Sequence, residues 1–521
     1  MDALADSLKV IADWITQHIT MWALIATGLF LTVVTRGVQV RHLPTMIRQV
    51  ASSRSGAAGG ISSFQAFAIS LAARVGVGNV FGVAAALLYG GPGAVFWMWV
   101  VALVGMATAF FEATLAQIFK VRAPDGSFRG GPAFYMARGM GGAGGRVMAG
   151  VFAVITLVTC GFIITSVQSN AVAGTLVAAL GGGEGSALPG FGGLSAAQLV
   201  VAGLVLVLTA VVVFGGIRAV ARVTEWMAPV MALIYIVLVA VVCLLNLGDF
   251  WRVIGRIISS AFAPEPLVGG LGGGVLAAVI NGTKRGLFSN EAGQGTAPNA
   301  AATATVAHPV QQGLIQSLGV FVDTIVVCTA TAFVILIAGP AAWTDQGANP
   351  STLTTLAIAH GLGGWTVLPM AVLIFVLAYS SIIAAYVYTD VNMDYLTGGR
   401  RWASWTVRVV SVASATAGAV LSLDVVWNAV DIAMAVMTLT NLVALVSLHR
   451  WGAGALRDYE AQRRSGVAEP VFRGRDNPHL PGDVPGGVWS SSDDDVTAAD
   501  ADDGSAPAPL AASPAPATTE D

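Results

Sequence analysis

The segment Ser70-Leu71-Ala72-Ala73-Arg74-Val75-Gly76-Val77-Gly78-Asn79 interrupts a long apolar stretch of the chain. Glycine has no β-carbon, so a helix is able to unwind at Gly76–Gly78 and expose backbone amides and carbonyls. A second apolar stretch is interrupted by Gly269-Gly270-Leu271-Gly272-Gly273-Gly274. At membrane depth, unwound backbone is tolerated only where it is buried in protein or lines a polar cavity. A pair of such breaks is typical of secondary transporters, so we expect a solute carrier.

The composition places most of the chain in lipid. Of the 521 residues, 55% are apolar and only 11% are charged, whereas a soluble protein has about 25% charged residues. A spanning helix needs about 20 mainly apolar residues. Candidate spans are predicted at 17–37, 63–89, 92–119, 147–180, 197–215, 220–247, 253–288 (broken), 307–338, 364–395, 404–422 and 424–449.

The basic residues predict the orientation of these spans. They follow alternate spans in five groups: Arg36, Arg41, Arg48 and Arg54; Lys120, Arg122, Arg129, Arg138 and Arg146; Arg218 and Arg222; Lys284 and Arg285; Arg400, Arg401 and Arg408. Because cytoplasmic loops carry an excess of Lys and Arg, we expect the amino terminus outside and the carboxyl terminus in the cytoplasm.

The spans also predict how the chain is divided. Residues 1–60 would form a peripheral transmembrane helix and a basic cytoplasmic linker. Two sets of five spans follow, at 61–250 and 251–449, and each opens with its glycine-broken helix. An odd number of spans per set gives the two sets opposite orientations, as in an inverted repeat. Residues 450–521 are rich in Ala, Pro, Asp and Ser, and a disordered cytoplasmic tail is predicted there.

Three ordered stretches, 70–83, 90–99 and 285–298, resemble the signatures of the alanine or glycine:cation symporters. Further matches are Gln168-Ser169-Asn170, Asp323-Thr324, Cys328-Thr329, Trp427, Asp431 and Asn441. The resemblance implies an all-α polytopic protein of the amino acid–polyamine–organocation superfamily. It would have a leucine-transporter-type 5+5 inverted repeat with one peripheral N-terminal helix and about 11 transmembrane helices, two of them discontinuous. The family imports small neutral amino acids, chiefly alanine and glycine, with Na⁺ and less often with H⁺.

An amino acid zwitterion needs hydrogen-bond donors for its carboxylate and acceptors for its ammonium group. A helix broken at Gly76, Val77 and Gly78, with Asn79 beside them, offers amides and a favourable helix dipole to the carboxylate. Gly270 in the second break would offer carbonyls to the ammonium group, with Leu271 and Val275 as walls of the side-chain pocket. The alternatives are close helix packing for the glycines and ordinary core or lipid contacts for Leu271 and Val275.

Similarity to the family places Gln168 beside the substrate's amino group, with an interhelical hydrogen bond as the alternative. A Na⁺ ion needs several oxygen ligands. The hydroxyls of Ser380 and Ser381, with the carbonyls of Ala72 and Val75, resemble the Na⁺ site shared across this fold. Small hydroxyl residues are also common packing residues in membranes, and that alternative stays open.

Arg74 and Asp323 are ionisable residues within predicted spans, where charges are costly and usually functional. Asp323 is a candidate ligand for Na⁺ or H⁺, and Arg74 is a candidate partner for the carboxylate of the substrate or of an acidic residue. A buried ion pair without a coupling role is the alternative. The stretch Ser289-Asn290-Glu291, with Gly293 and Gly295, is predicted to be a hinge or part of the inner gate.

We therefore predict a multi-pass protein of the cell membrane that imports a small neutral amino acid with Na⁺ by alternating access. The alternatives are an H⁺-coupled transporter and an amino acid sensor on a transporter scaffold. The sequence contains no HExxH, P-loop or Gly-x-Ser-x-Gly pattern, so we expect no enzyme. We expect no cofactor apart from the coupling ion and no nucleic-acid partner; the sequence does not predict the oligomeric state.

Overall fold

The computed structural model of the chain describes residues 2–52, 61–123, 126–179, 194–262, 274–344, 348–421 and 424–489. These residues form helices and one short hairpin, in which Val121 pairs with Arg129 and Arg122 with Phe128. The helices are interrupted by π-helical turns at Thr16–Thr20, Gly78–Gly82, Met136–Met140, Thr159–Ile164 and Phe321–Cys328. Two 3-10 turns lie at Gly364–Thr366 and Gly487–Trp489.

The N-terminal part and the first half contain twelve α-helices among the described residues. They are α1 (Asp2–Ile15), α2 (Met21–Val34), α3 (Val38–Arg41), α4 (Leu43–Ser52), α5 (Ser63–Arg74), α6 (Val83–Gly90), α7 (Gly93–Ile118), α8 (Pro132–Tyr135), α9 (Gly142–Val158), α10 (Thr165–Ala179), α11 (Ala196–Val213) and α12 (Gly216–Leu245).

The remaining described helices are α13 (Leu247–Ala261), α14 (Gly274–Asn290), α15 (Ala297–Ala301), α16 (Pro309–Val320), α17 (Thr329–Ile337), α18 (Pro340–Thr344), α19 (Pro350–Leu362), α20 (Val367–Thr397), α21 (Arg401–Val420), α22 (Asp424–Ser447) and α23 (His449–Arg464).

Eight helical segments of the described chain are long and apolar enough to cross a membrane. They are Val10–Val34, Gly93–Ile118, Gly142–Val177, Ala196–Val213, Gly216–Leu245, Pro309–Ile337, Gly364–Thr397 and Val430–Ser447. A ninth candidate is the pair Ser63–Arg74 and Gly78–Gly90, which is bent by 47° at the break between its halves. The chain is therefore a multi-pass membrane protein with a helical core.

The core is centred on α7, which packs along α14 and α16. Close approach here requires small residues: a β-carbon on Gly282 would lie 2.4 Å from the carbonyl oxygen of Ala94. On the other side of the bundle, α10 lies between α20 and α21. Small residues at such contacts let helix backbones approach closely where lipid offers no hydrophobic driving force.

Ion pairs attach the N-terminal helix α1 to this core. Lys284 on α14 lies 2.9 Å from a carboxylate oxygen of Asp13 on α1 and 2.5 Å from one of Asp431 on α22. Lys284 and Arg285, predicted to end a span on the cytoplasmic side, lie within α14, which continues to Asn290. The ion pairs explain why α1 packs against α22.

The prediction of disorder from residue 450 onward is wrong for residues 450–489. Helix α23 is followed by a docked segment, residues 465–489, in which Phe472, Val484 and Trp489 are buried. The amide of Phe472 donates to the Ala307 carbonyl at 2.9 Å, and Trp489 Nε1 donates to the Gln117 carbonyl at 3.0 Å. These apolar anchors are sparse in a polar segment, so the average composition conceals them. The rest of the predicted tail, 490–521, lies outside the described residues.

Candidate functional site

The break in the first half lies between two helices that the sequence itself specifies. A capping box, in which Ser62 and Gln65 bind each other's backbone amides, begins α5. The helix ends at Arg74, and the Gly76 amide donates to the Arg74 carbonyl at 2.9 Å and to Asn79 Oδ1 at 3.0 Å. All residues from Val75 to Asn79 are buried. The Asn79 side chain therefore stabilises the unwound backbone of the break by binding the Gly76 amide.

Gly76 faces two of the predicted site residues. A β-carbon at this position would lie 2.4 Å from Ser381 Oγ and 3.4 Å from Gln168 Nε2. Gln168 is buried, and its Oε1 has no hydrogen-bond partner among the described residues. The structure thus brings together a glycine, a hydroxyl and an amide from α20 and α10 at the point where the first broken helix unwinds.

The two serines predicted to bind Na⁺ lie against the end of α5. Ser380 Oγ donates to the Ala72 carbonyl at 2.9 Å, and Ser381 Oγ approaches the same oxygen at 3.1 Å. Ser381 also lies 3.1 Å from the Ala73 carbonyl. Val75 is buried close by in sequence, but no described hydrogen bond joins it to either serine. Three of the four predicted ligands, Ala72, Ser380 and Ser381, are in direct contact.

Asp323 is surrounded by donors from three helical segments. Its carboxylate accepts hydrogen bonds from the Asn79 side-chain amide and from the hydroxyls of Ser289 and Thr324, the latter two at 2.8 Å. Asn79 also donates to Ser289 Oγ at 3.0 Å. Asp323 is fully buried. This cluster ties the first break to the second half of the chain.

The described segment that faces the first break is the end of α14 at Phe288 and Ser289, with the turn that follows it. A β-carbon on Gly78 would lie 3.1 Å from the Phe288 ring and 3.4 Å from the Ser289 Cα. After α14 the backbone takes positive φ angles at Glu291 (54°), Gly293 (88°) and Gly295 (80°), which ends the helix inside the protein. The stretch predicted as a hinge or gate is therefore the second break.

This finding corrects the predicted pocket wall. Gly270 and Leu271 lie outside the described residues. Val275 lies on α14, which runs without interruption to Asn290. At a rise of 1.5 Å per residue, Val275 is about 21 Å from Ser289 along the helix, so it does not border the first break.

Arg74 and Asp323 do not form the ion pair that was considered. Arg74 is only 2% exposed, and its Nη1 donates to the Gln316 carbonyl at 3.1 Å. Its Nε and Nη2 have no hydrogen-bond partner among the described residues. The glycine at 319 leaves room for the guanidinium, since a β-carbon there would lie 2.5 Å from Nη1.

Sequence reasoning missed the role of Glu112 at the second break. One carboxylate oxygen of Glu112 accepts from the Gly295 amide at 2.9 Å and from Asn441 Nδ2 at 2.6 Å. Asn441 also donates to the Gly293 carbonyl at 3.0 Å. These contacts satisfy backbone groups that the unwound segment exposes. A buried Glu in the middle of an apolar span was the available signal.

Comparison with known proteins identifies relatives of this chain and proteins with a similar fold. A family model described as the sodium:alanine symporter family matches residues 1–474. The amino-acid carrier protein AlsT of Bacillus subtilis is 41% identical over 92% of this chain and 97% of its own length. The sodium/alanine symporter AgcS of Methanococcus maripaludis is 35% identical over 82% of this chain and 90% of its own. A crystal structure of MhsT with L-phenylalanine has a TM-score of 0.52 and 15% identity, covering 76% of this chain and 91% of that one. The last likeness shows the fold, which is of the leucine-transporter type.

Proposed function

The chain belongs to the sodium:alanine symporter family, and on that premise we propose that it imports a small neutral amino acid together with Na⁺ by alternating access. The proposed architecture is a 5+5 inverted repeat preceded by one peripheral helix. In it, α14 with α15 and the more polar α21 complete a set of eleven crossings. The amino terminus is outside the cell membrane, and the carboxyl terminus is in the cytoplasm.

The observation that carries the proposal is the contact of the first break with Gln168 and Ser381. The amide of Gly76 is bound by Asn79, so the substrate carboxylate binds the amides of Val77 and Gly78, where the dipole of the following half-helix favours an anion. The unpartnered Oε1 of Gln168 accepts from the substrate's ammonium group. A buried amide oxygen without a partner is costly, and a bound ammonium removes that cost.

The coupling ion binds beside the substrate. The Ala72 carbonyl and the hydroxyls of Ser380 and Ser381 are already within hydrogen-bond distance of one another. Rotation of the two hydroxyl hydrogens away from that carbonyl presents three oxygens to a cation, and Val75 supplies a fourth. Because α5 and α20 both contribute, Na⁺ binding stabilises the arrangement in which the first break is closed against α20.

The second break gives the transporter its moving element. Ser289 and the turn to Thr296 face Gly78 and Asn79, and Glu112 with Asn441 holds the far side of that turn. Broken helices at a repeat interface are where secondary transporters bind substrate and change access. We propose that closing and opening of the inner side involve this turn.

The test is uptake of labelled alanine into proteoliposomes under an imposed Na⁺ gradient, an imposed pH gradient or no gradient. We expect accumulation only with Na⁺. One charge moved inward across 100 mV supplies about 2.3 kcal/mol, which corresponds to roughly 50-fold accumulation at 1.4 kcal/mol per tenfold. Accumulation with a pH gradient alone would transfer the coupling role to Asp323. Specific binding of alanine without accumulation under any gradient would favour a sensor.

The ion site has its own test in the same assay. Ser380→Ala and Ser381→Ala should raise the Na⁺ concentration needed for half-maximal uptake by roughly tenfold or more, since each removes one of few oxygen ligands. Ser411→Ala is the matched control, because Ser411 is equally buried but lies on α21 without a partner for its hydroxyl among the described residues. An equal effect of all three changes would contradict this Na⁺ site.

The size of the substrate follows from the residues around the break. Val77 stands where the family often has Thr or Ser, and Ala385, one turn after Ser381, where it often has Trp. The resemblance therefore favours a substrate somewhat larger than alanine. Competition against labelled alanine by leucine and methionine supports this reading, whereas competition only by glycine, alanine and serine contradicts it.

A further inference from the structure

A cavity of about 200 Å³ lies between α3–α4 and α23, away from the broken helices. Its lining is unusually basic and consists of Arg41, His42, Thr45, Tyr459, Glu460, Arg463 and Arg464. The transport proposal uses none of these residues. The question is what kind of ligand such a lining would bind.

The carboxylate of Glu460 binds three of the basic side chains that line this cavity. Glu460 accepts from Arg41 at 2.9 Å and from His42 at 3.0 Å through one oxygen, and from Arg464 at 3.0 Å through the other. Among the described residues, no second carboxylate lies within 4 Å of these three side chains. The guanidiniums of Arg41, Arg463 and Arg464 outnumber the carboxylate of Glu460, so the cavity carries a net positive charge even when His42 is neutral. The side chain of Arg464 is 77% exposed, so donors remain available to a ligand.

The cavity lies close to the end of the first candidate membrane span. The first candidate span ends at Val34, and α3 and α4 follow directly. Val40 on α3 and Ile47 on α4 are 72% and 58% exposed, while Met46 is buried against the protein. An apolar face beside arginines is typical of a helix that lies in the membrane interface. Arg41 is seven residues beyond the end of that span.

We propose that this cavity binds the phosphate group of an anionic membrane lipid. A guanidinium matches the oxygens of a phosphate in a forked geometry and cannot be deprotonated, so three of them in one cavity suit this ligand. Basic cavities at the ends of spans bind phosphate-bearing headgroups by the same chemistry. The exposed face of Val40 and Ile47 provides the apolar surface along which the acyl chains of that lipid pack.

The experiment is native mass spectrometry of the purified full-length chain, titrated with phosphatidylglycerol. The pocket variant Arg463→Gln/Arg464→Gln should bind it roughly fivefold more weakly, because two of the three guanidiniums are lost. The matched control is Arg473→Gln/Arg475→Gln, which removes the same charge from exposed positions of the docked segment outside the cavity. The control should bind like the unaltered chain. Equal binding by the two variants would overturn the proposal.

Two further arms separate the possible sources of phosphate and guard against misfolding. In the first arm, millimolar inorganic phosphate is added to the lipid-bound protein. If the lipid stays bound, the cavity is a lipid site. If phosphate displaces the lipid from the unaltered chain but not from the pocket variant, the cavity binds phosphate and its ligand is a soluble one. The variant Arg463→Lys/Arg464→Lys retains the charges, so it should bind more lipid than the Gln pair at equal thermal stability. Binding that is the same for the Lys and Gln pairs counts against the proposal. None of these readouts depends on transport.

Discussion

At the scale of single residues, Gly76 is the position where the absence of a side chain matters most. A β-carbon there would be 2.4 Å from Ser381 Oγ, a distance at which one of the two must move. We expect Gly76→Ala to displace that serine from the Ala72 carbonyl and to abolish Na⁺-dependent uptake, with a loss of stability of about 1–3 kcal/mol from overpacking. Gly82→Ala is the matched control, because its β-carbon would make only an ordinary contact, 3.8 Å from Phe288. Equal uptake by both variants would show that Gly76 does not define the site.

Asp323 provides a second prediction at this scale, because its role as an acceptor is separable from its charge. In Asp323→Ala the donors from Asn79, Ser289 and Thr324 lose their acceptor, and buried unsatisfied groups cost about 1–3 kcal/mol each. Asp323→Asn keeps one acceptor oxygen and should unfold at a temperature closer to that of the unaltered chain. Both variants should lose accumulation if the charge takes part in coupling. Full uptake by Asp323→Asn in the proteoliposome assay would assign Asp323 a structural role only.

At the scale of helices, His308 connects α16 to α23 and should make stability depend on pH. Its Nδ1 accepts from the Val310 amide and its Nε2 lies 3.2 Å from Asp458, an arrangement that suits a neutral ring with its proton on Nε2. Burial lowers the pKa of His308 below its ordinary 6.5, although Asp458 opposes this. Burial alone would raise the pKa of Asp458, but hydrogen bonds from His308 and Gln462 outweigh it and lower that pKa below 3.8.

The sign of the pH effect follows from these directions. Below about pH 6.5 the unfolded chain protonates this histidine before the folded chain does, so stability falls as the pH is lowered. Asp458 acts in the same direction only below pH 3.8, outside the range of interest. Between pH 7.5 and 5.5 we expect the unaltered chain to lose stability, by at most about 1.4 kcal/mol for one histidine with an unfolded pKa near 6.5. The variant His308→Asn should show a weaker dependence of stability on pH, because Asn still caps α16 but does not titrate. Thermal unfolding of both proteins at three pH values measures this dependence. The variant His360→Asn, at an exposed position, is the control.

The two breaks show which elements the sequence predicts and which it does not. The first break was predictable because Gly76 and Gly78 interrupt an apolar helix locally, and Ser380 and Ser381 lie where the family pattern expects them. The described second break lies after α14, whereas the glycine run at 269–274, where a break was predicted, lies almost entirely outside the described residues. Its turn includes Glu291, a non-glycine residue with a positive φ of 54°, and the turn is held by Glu112 and Asn441 from distant parts of the chain. The sequence marked this stretch as a hinge through Gly293 and Gly295, but the contacts of Glu112 and Asn441 that hold it are too distant along the chain to leave a local pattern.

At the scale of the whole molecule, the docked segment 465–489 joins parts of the bundle that no loop connects. Its anchors reach the end of α7 through Gln117 and the beginning of α16 through Ala307. Trp489 also covers Lys120, whose ammonium group lies 4.8 Å from the indole centre and 4.0 Å from that of Phe128. Burial lowers the pKa of Lys120 to about 7, with the nearby charge of Arg122 as a smaller cause. The low pKa of Lys120 depends on this exclusion of water, to which the docked segment contributes.

Deleting residues 465–521 should therefore lower the unfolding temperature of the entire helical bundle. The deletion removes the buried side chains of Phe472, Val484 and Trp489, and the loss of one Trp-sized side chain alone costs about 3–5 kcal/mol in a well-packed core. Deleting only 490–521 is the matched control, since every contact described for the docked segment remains. Trp489→Ala in the full chain should reproduce part of the loss. If both deletions unfold at the temperature of the unaltered chain, the docked segment rests on the surface of the bundle without stabilising it.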